Sequence, residues 1–263
     1  MRSGRDRQKN SPLSPPAPVN YLFSSGHPMT HNAVLALRRY RLDRATRPYR
    51  ARGCRVLRCE GCLLPQAVCL CDSILPATSA SRFCLIMFDS EPLKPSNTGR
   101  LIADILPDTQ AFLWSRTEPN PALLSAITDP ARQPYVVFPA HNVAPGRRVV
   151  RQIDAHGKPP LFILLDGTWS EAGKMFRKSP YLADFPILSL TLDTLSAYRL
   201  REAHGEGHHC TAEVAATLLL QAGDDAAAQN LSALFTLFRG RYLAGKSHHR
   251  TPQISSAITT PQA

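Results

Sequence analysis

Short apolar runs alternate with helically periodic stretches along most of this chain. Residues 83–88 contain no charged side chain, which suits a strand buried on both faces. The same reading places strands at 111–114, 135–138, 161–165 and 187–192. Between and after them, helical spacing appears at 98–106, 121–128, 169–178, 211–221 and 229–243. In the first of these helices Leu101, Ile102, Ile105 and Leu106 fall inward. Apolar strands separated by helices predict an α/β fold with a mostly parallel sheet flanked by helices. Residues 139–160 and 193–210 are longer than a connection requires and are expected to form binding loops.

The chain before the first strand is organised differently. Residues 11–18 are rich in proline and suit neither a helix nor a central strand, so 1–28 is expected to be a disordered or mis-assigned extension, with Met29 as the true start. From Met29 a helix-like run carries Ala33, Leu35, Ala36, Leu37, Tyr40 and Leu42 among arginines. The expected organisation is therefore 29–80 for a basic helix and a cysteine element, 81–246 for the α/β domain, and 247–263 for a flexible tail.

Length and charge narrow the class. The chain has 263 residues, 43% of them hydrophobic, enough for a real core, and no apolar run long enough to cross a bilayer. No signal-peptide layout opens it, which predicts a cytoplasmic protein with no membrane association. A formal net charge of +11 points to a polyanionic partner. Arg38, Arg39, Arg41, Arg44, Arg47, Arg50, Arg52, Arg55 and Arg58 crowd one segment, opposed by Asp43 alone. Guanidinium forks suit phosphate, so this segment is read as a nucleic-acid contact, the alternative being an ordinary solvated helix face.

Four of the 7 cysteines lie in one short loop: Cys59 and Cys62 as C-x2-C, then Cys69 and Cys71 as C-x-C. Four thiolates make a closed tetrahedral Zn2+ site, structural because no ligand position stays open. Gly61 is expected to give the turn its freedom. A disulfide pair or unpaired thiols are the alternatives; the odd cysteine count and the absence of a secretory signal favour zinc. Cys54, Cys84 and Cys210 look incidental.

Ligands in such sheets gather at the carboxyl ends of the strands. Asp166 stands at one of these ends, where a carboxylate can face a pocket. Thr168 and Glu171 have the spacing of a capping box, which frees Asp166 from capping the next helix. Trp169 suits either stacking on a base or packing. Lys174 and Arg177 lie late in that helix, where cations are favoured, and offer phosphate contacts as well. No Walker loop, G-x-G-x-x-G, nucleophile elbow or H-E-x-x-H occurs.

The C-x2-C/C-x-C loop, Lys94-Pro95-Ser96-Asn97-Thr98-Gly99-Arg100, Asp166-Gly167-Thr168-Trp169, Tyr198-Arg199-Leu200-Arg201 and Thr211-Ala212-Glu213 together resemble the DTW-domain family, in order, from about Met29 to about Lys246. The likeness is to its bacterial tRNA-uridine aminocarboxypropyltransferases, with Gly167 inserted in the D-T-W signature. The resemblance implies a SPOUT-like fold and transfer of the 3-amino-3-carboxypropyl group of S-adenosylmethionine to N3 of a tRNA uridine, position 47 in the bacterial branch. The products would be acp3U and methylthioadenosine.

On that resemblance, Asp166 is the expected base, with Thr168 and Trp169 beside it. Phe138, Pro139, Leu188 and Leu190 would wall the adenosine. Ser196, Tyr198, Arg199 and Arg201 would hold the carboxylate-bearing arm, and Thr98 would meet cofactor or RNA. Arg38, Arg44, Arg47, Arg52, Arg58, Lys94, Arg100, Lys174 and Arg177 would grip tRNA. No obligate protein partner is implied. The competing readings are a SPOUT-like RNA methyltransferase and a zinc-containing RNA-binding protein without catalysis.

Overall fold

The computed structural model describes residues 32–46, 56–154, 156–190 and 210–247. Its centre is a six-stranded sheet in which every neighbouring pair is parallel. The strands are β1 (Arg82–Met87), β2 (Gln110–Leu113), β3 (Gln133–Val137), β4 (Val149–Val150), β5 (Pro160–Asp166) and β6 (Ile187–Leu188), in the spatial order β2-β1-β5-β3-β6-β4. The helices are α1 (Ala33–Asp43), α2 (Gly99–Ile105), α3 (Pro121–Ile127), α4 (Trp169–Arg177), α5 (Thr211–Gln221) and α6 (Asp225–Ser247).

Alternation along β1 explains why the sheet is covered twice. Phe83, Leu85 and Met87 join a core with α2, α5 and α6, whereas Cys84 and Ile86 join a second core with α3 and α4. Successive side chains of a strand point to opposite faces, so a run apolar at every position must be buried on both. The first core also takes in Val34 of α1 and Cys62, Leu64 and Leu70 of the cysteine loop. α1 and the cysteine loop, expected within the 29–80 element, thus pack into the same core as the α/β domain.

Differences from expectation are local. α1 begins at Ala33, capped by the Asn32 side chain, which accepts from Val34 N and Leu35 N; Met29 lies outside the described residues. The stretch 139–160 is not all loop, because Val149 and Val150 add an edge strand to β6. Two residues carry too little periodicity to announce a strand. The 193–210 stretch lies outside the described residues except for Cys210, which caps α5.

Because the strands are parallel, their carboxyl ends share one edge of the sheet. Asp166 closes β5 opposite Met87 of β1, and Val137 of β3 pairs with Leu164 of β5 and Leu188 of β6. The segments after β1, β3, β5 and β6 therefore emerge side by side.

Candidate active site and thiol cluster

Asp166 is buried at the edge of the sheet, and both carboxylate oxygens are engaged. Oδ2 accepts from Asn97 Nδ2 at 2.7 Å and Oδ1 accepts from Thr211 Oγ1 at 2.7 Å. Asn97 also receives the Arg100 backbone N–H on Oδ1 (3.0 Å), so one side chain both starts α2 and holds the carboxylate. The close approach of α2 needs Gly99, since a Cβ there would stand 2.6 Å from Asp166 Oδ2. Burial pushes the Asp166 carboxyl up to about 6. Glu91 adds repulsion, while the bonds from Asn97 and Thr211 and the charge of Lys94 pull it back. A buried carboxyl that titrates this near neutrality can take up a proton from a bound substrate.

Glu91 and Lys94 form an ion pair beside this site, and Asn97 Nδ2 reaches Glu91 Oε1 at 3.3 Å. Thr98 faces α5 instead, accepting from Ala212 N at 3.4 Å. The stretches 94–100 and 211–213 were prominent in the sequence, yet Asn97, Gly99 and Thr211 as neighbours of Asp166 were not foreseen. The available signal was Asn97 three residues before a helical N–H, the spacing of a capping side chain.

Several expected contacts have other roles here. Thr168 Oγ1 donates to Glu171 Oε2 (2.8 Å) and accepts from Glu171 N (3.4 Å), so its hydroxyl caps α4. Trp169 is 49% exposed on the first turn of that helix. Phe138 stacks on Phe176 with centroids 4.2 Å apart, and Leu188 is wholly buried. Both are core residues, and of the expected adenosine wall Pro139 and Leu190 keep exposed surface. Ser196, Tyr198, Arg199 and Arg201 lie outside the described residues, as do Arg47 and Arg52.

The basic residues divide in the same way. Arg100 is 1% exposed and paired with Asp104 at 2.6 Å, so it cannot grip RNA as expected; an arginine on the inward face of a short helix is hidden by packing. Arg38 donates to Leu93 O at 2.6 Å, and Arg58 to Leu63 O at 3.1 Å. Arg41 makes a two-pronged contact with Asp89 at 2.6 and 2.7 Å. Arg44, Lys174 and Arg177 are exposed. Lys174 lies over the rings of Phe88 (5.8 Å) and Trp114 (5.7 Å), which stack on each other at the ends of β1 and β2.

The four loop cysteines converge. Their sulfurs lie within 4.8 Å of one another, with Cys59 and Cys71 at 3.5 Å and Cys62 and Cys69 at 3.7 Å. Sulfurs at the corners of a tetrahedron with metal–sulfur bonds of about 2.3 Å stand about 3.8 Å apart, so the cluster fits a metal ion. The turn is closed by Cys59 N to Leu64 O and Leu63 N to Cys59 O, both 2.9 Å. Leu63, not Gly61, supplies the left-handed residue (φ 59°). Arg241 of α6 donates to Cys69 O and fastens the loop to the core.

A doubly covered parallel sheet with a buried carboxyl at its carboxyl edge and a metal-fitting thiol cluster defines an α/β protein with a candidate active centre. The chain belongs to the DTW domain family, whose pattern it matches over residues 56–243. It is also 25% identical over 168 residues to tRNA-uridine aminocarboxypropyltransferase 2 of Drosophila melanogaster, covering 62% of this chain. The match spans 65% of that relative's length. No solved structure matches the chain. Among the described residues no helix is long and apolar enough to cross a membrane.

Proposed function

We propose that this DTW-domain protein transfers the 3-amino-3-carboxypropyl group of S-adenosylmethionine to N3 of a tRNA uridine. The observation that carries the reading is Asp166: a buried carboxyl at the carboxyl edge of a parallel sheet, held by two donors and titrating near 6. The name of the Drosophila relative supports the same chemistry.

The donor supplies a sulfonium leaving group and the carbon chain to be moved. Uridine N3 must lose its proton to become nucleophilic, and Asp166 takes it. The new bond joins N3 to the methylene carbon next to sulfur. The carbon–sulfur bond breaks, its electron pair stays on sulfur, and neutral methylthioadenosine leaves with the proton on Asp166. Asn97 and Thr211 fix both oxygens of the base, so catalysis rests on positioning and proton removal. Pro139 and Leu190, which keep exposed surface, would wall the adenosine. Arg199 or Arg201 would pair with the carboxylate of the transferred arm, with Ser196 or Tyr198 orienting it. Exposed Arg44, Lys174 and Arg177, together with Arg47 and Arg52, would meet the tRNA backbone, and Trp169 would lie against a base. The thiol cluster would hold Zn2+ as a structural ion. A cytoplasmic location fits a tRNA substrate.

The test uses unmodified tRNA and S-adenosylmethionine labelled either in the carboxyl carbon or in the methyl group. Carboxyl label entering the tRNA is expected. Methyl label alone would mean a methyltransferase, and no label from either sample would leave an RNA-binding protein without this activity.

A further inference from the structure

Among the described residues Arg100 is the one buried cation, and it lies against the thiol loop. Its Nη1 donates to Asp104 Oδ2 at 2.6 Å and reaches the carbonyl of Gly61, between Cys59 and Cys62, at 3.5 Å. The guanidinium carbon sits 5.7 Å from the centre of the Phe238 ring. Nε and Nη2 are buried with no hydrogen-bond partner. Asp104 is engaged on its other oxygen, which accepts from Asn32 Nδ2 at 2.6 Å.

Asp104 therefore meets one nitrogen of a group built to bind through two, leaving the remaining N–H groups unspent in the interior. A buried charged donor without an acceptor is costly, and nature seldom leaves one unused. The thiolates of the loop beside it would be acceptors for these groups once metal is bound. Four thiolates around one divalent ion carry a net charge of about −2, and metal-bound sulfur accepts N–H bonds where a neutral thiol accepts them weakly. Groups just outside the ligands commonly tune a metal site in this way.

We propose that Arg100 is the internal counter-cation of the metal-loaded thiol loop, giving its unspent N–H groups to the thiolates and so retaining the ion. Arg100 is a positioning residue here, acting on sulfur and not on a substrate. The proposal rests on the metal reading of the four thiols and is independent of aminocarboxypropyl transfer. Asp104 is then a competitor for the guanidinium as well as its anchor, and the two residues have opposite effects on the metal.

The experiment loads the full chain with Zn2+ and follows its transfer to a colorimetric chelator. Arg100→Met is expected to release zinc about tenfold faster or more, the usual cost of removing a group behind the ligands, with Arg100→Lys in between. Asp104→Asn, which keeps the cation and removes its competitor, is expected to release zinc more slowly than the parent. In Co2+-loaded protein, Arg100→Met should shift the thiolate-to-cobalt charge-transfer band, which a general loosening of the fold would leave in place. Unchanged release from Arg100→Met overturns the proposal. So does equal or faster release from Asp104→Asn, which decides the matter if Arg100→Met does not fold. A parent chain that takes up no metal removes the thiol site and its counter-cation together. A metal-loaded parent with indifferent Arg100 removes the counter-cation alone.

Discussion

The thiol loop and the Asp166 site are built on opposite plans. The loop draws all four sulfurs from residues 59–71, and its closing bonds run between Cys59, Leu63 and Leu64. The carboxylate site draws Asn97, Asp166 and Thr211 from three segments that meet only when α2, β5 and α5 are in place. The loop brings four sulfurs together in a set that fits a metal ion. The site holds one carboxyl in the interior and surrounds it with neutral donors. A cluster that is close in sequence offers a metal-fitting set of sulfurs from one loop; a cluster made by folding is assembled from distant segments. Arg100 touches both plans, since its side chain meets Gly61 and its backbone N–H meets Asn97.

The largest effect should follow from breaking the loop. Changing Cys59 and Cys62 together to serine removes half the ligands, and Cys62 also sits in the first core. With each kcal/mol worth about 2–4 °C in a domain of this size, we expect Tm to fall by about 10 °C or more, measured by circular dichroism. An unchanged Tm would show that the loop contributes nothing to folding.

Breaking the other region should spare the fold and stop the chemistry. Asp166→Asn is expected to slow product formation about 10²- to 10⁴-fold while the protein remains folded. In the parent, the base form of Asp166 exists above about pH 6, so the single-turnover rate should rise through that pH and then level off. The sign for stability is opposite. A carboxyl raised in the folded state favours folding most below its unfolded value, and that contribution is lost as pH rises through about 6. A rate independent of pH across this window would remove Asp166 as the base.

The smallest change sharpens the comparison. Thr211→Val deletes the hydroxyl that donates to Asp166 Oδ1. A hydrogen bond to a charged group is worth about 1.5–3 kcal/mol, so the midpoint of the pH–rate profile should move up by about one to two units. Zinc release should not change. A profile that stays in place would mean that Thr211 does not set the state of the carboxyl.

Much of this architecture could be read from the chain. The run 83–88 required burial on both faces, and the spacing of Thr168 and Glu171 announced the cap of α4 that the structure forms. The convergence of Cys59, Cys62, Cys69 and Cys71 was also legible, because few residues separate them. Other positions were set by packing that the chain does not announce. Arg100 resembles any other arginine in a basic protein until α2 packs and turns it inward beside Asp104. Phe138 suits a ligand wall until Phe176 stacks on it.

By itself, the sequence determined what depends on neighbours along the chain: helical and strand periodicity, helix capping, and a four-sulfur loop. The tertiary structure alone decided which polar groups are buried and which donors meet Asp166. Burial and long-range hydrogen bonding arise when distant segments exclude water from a shared space, and no local spacing encodes which segments those will be.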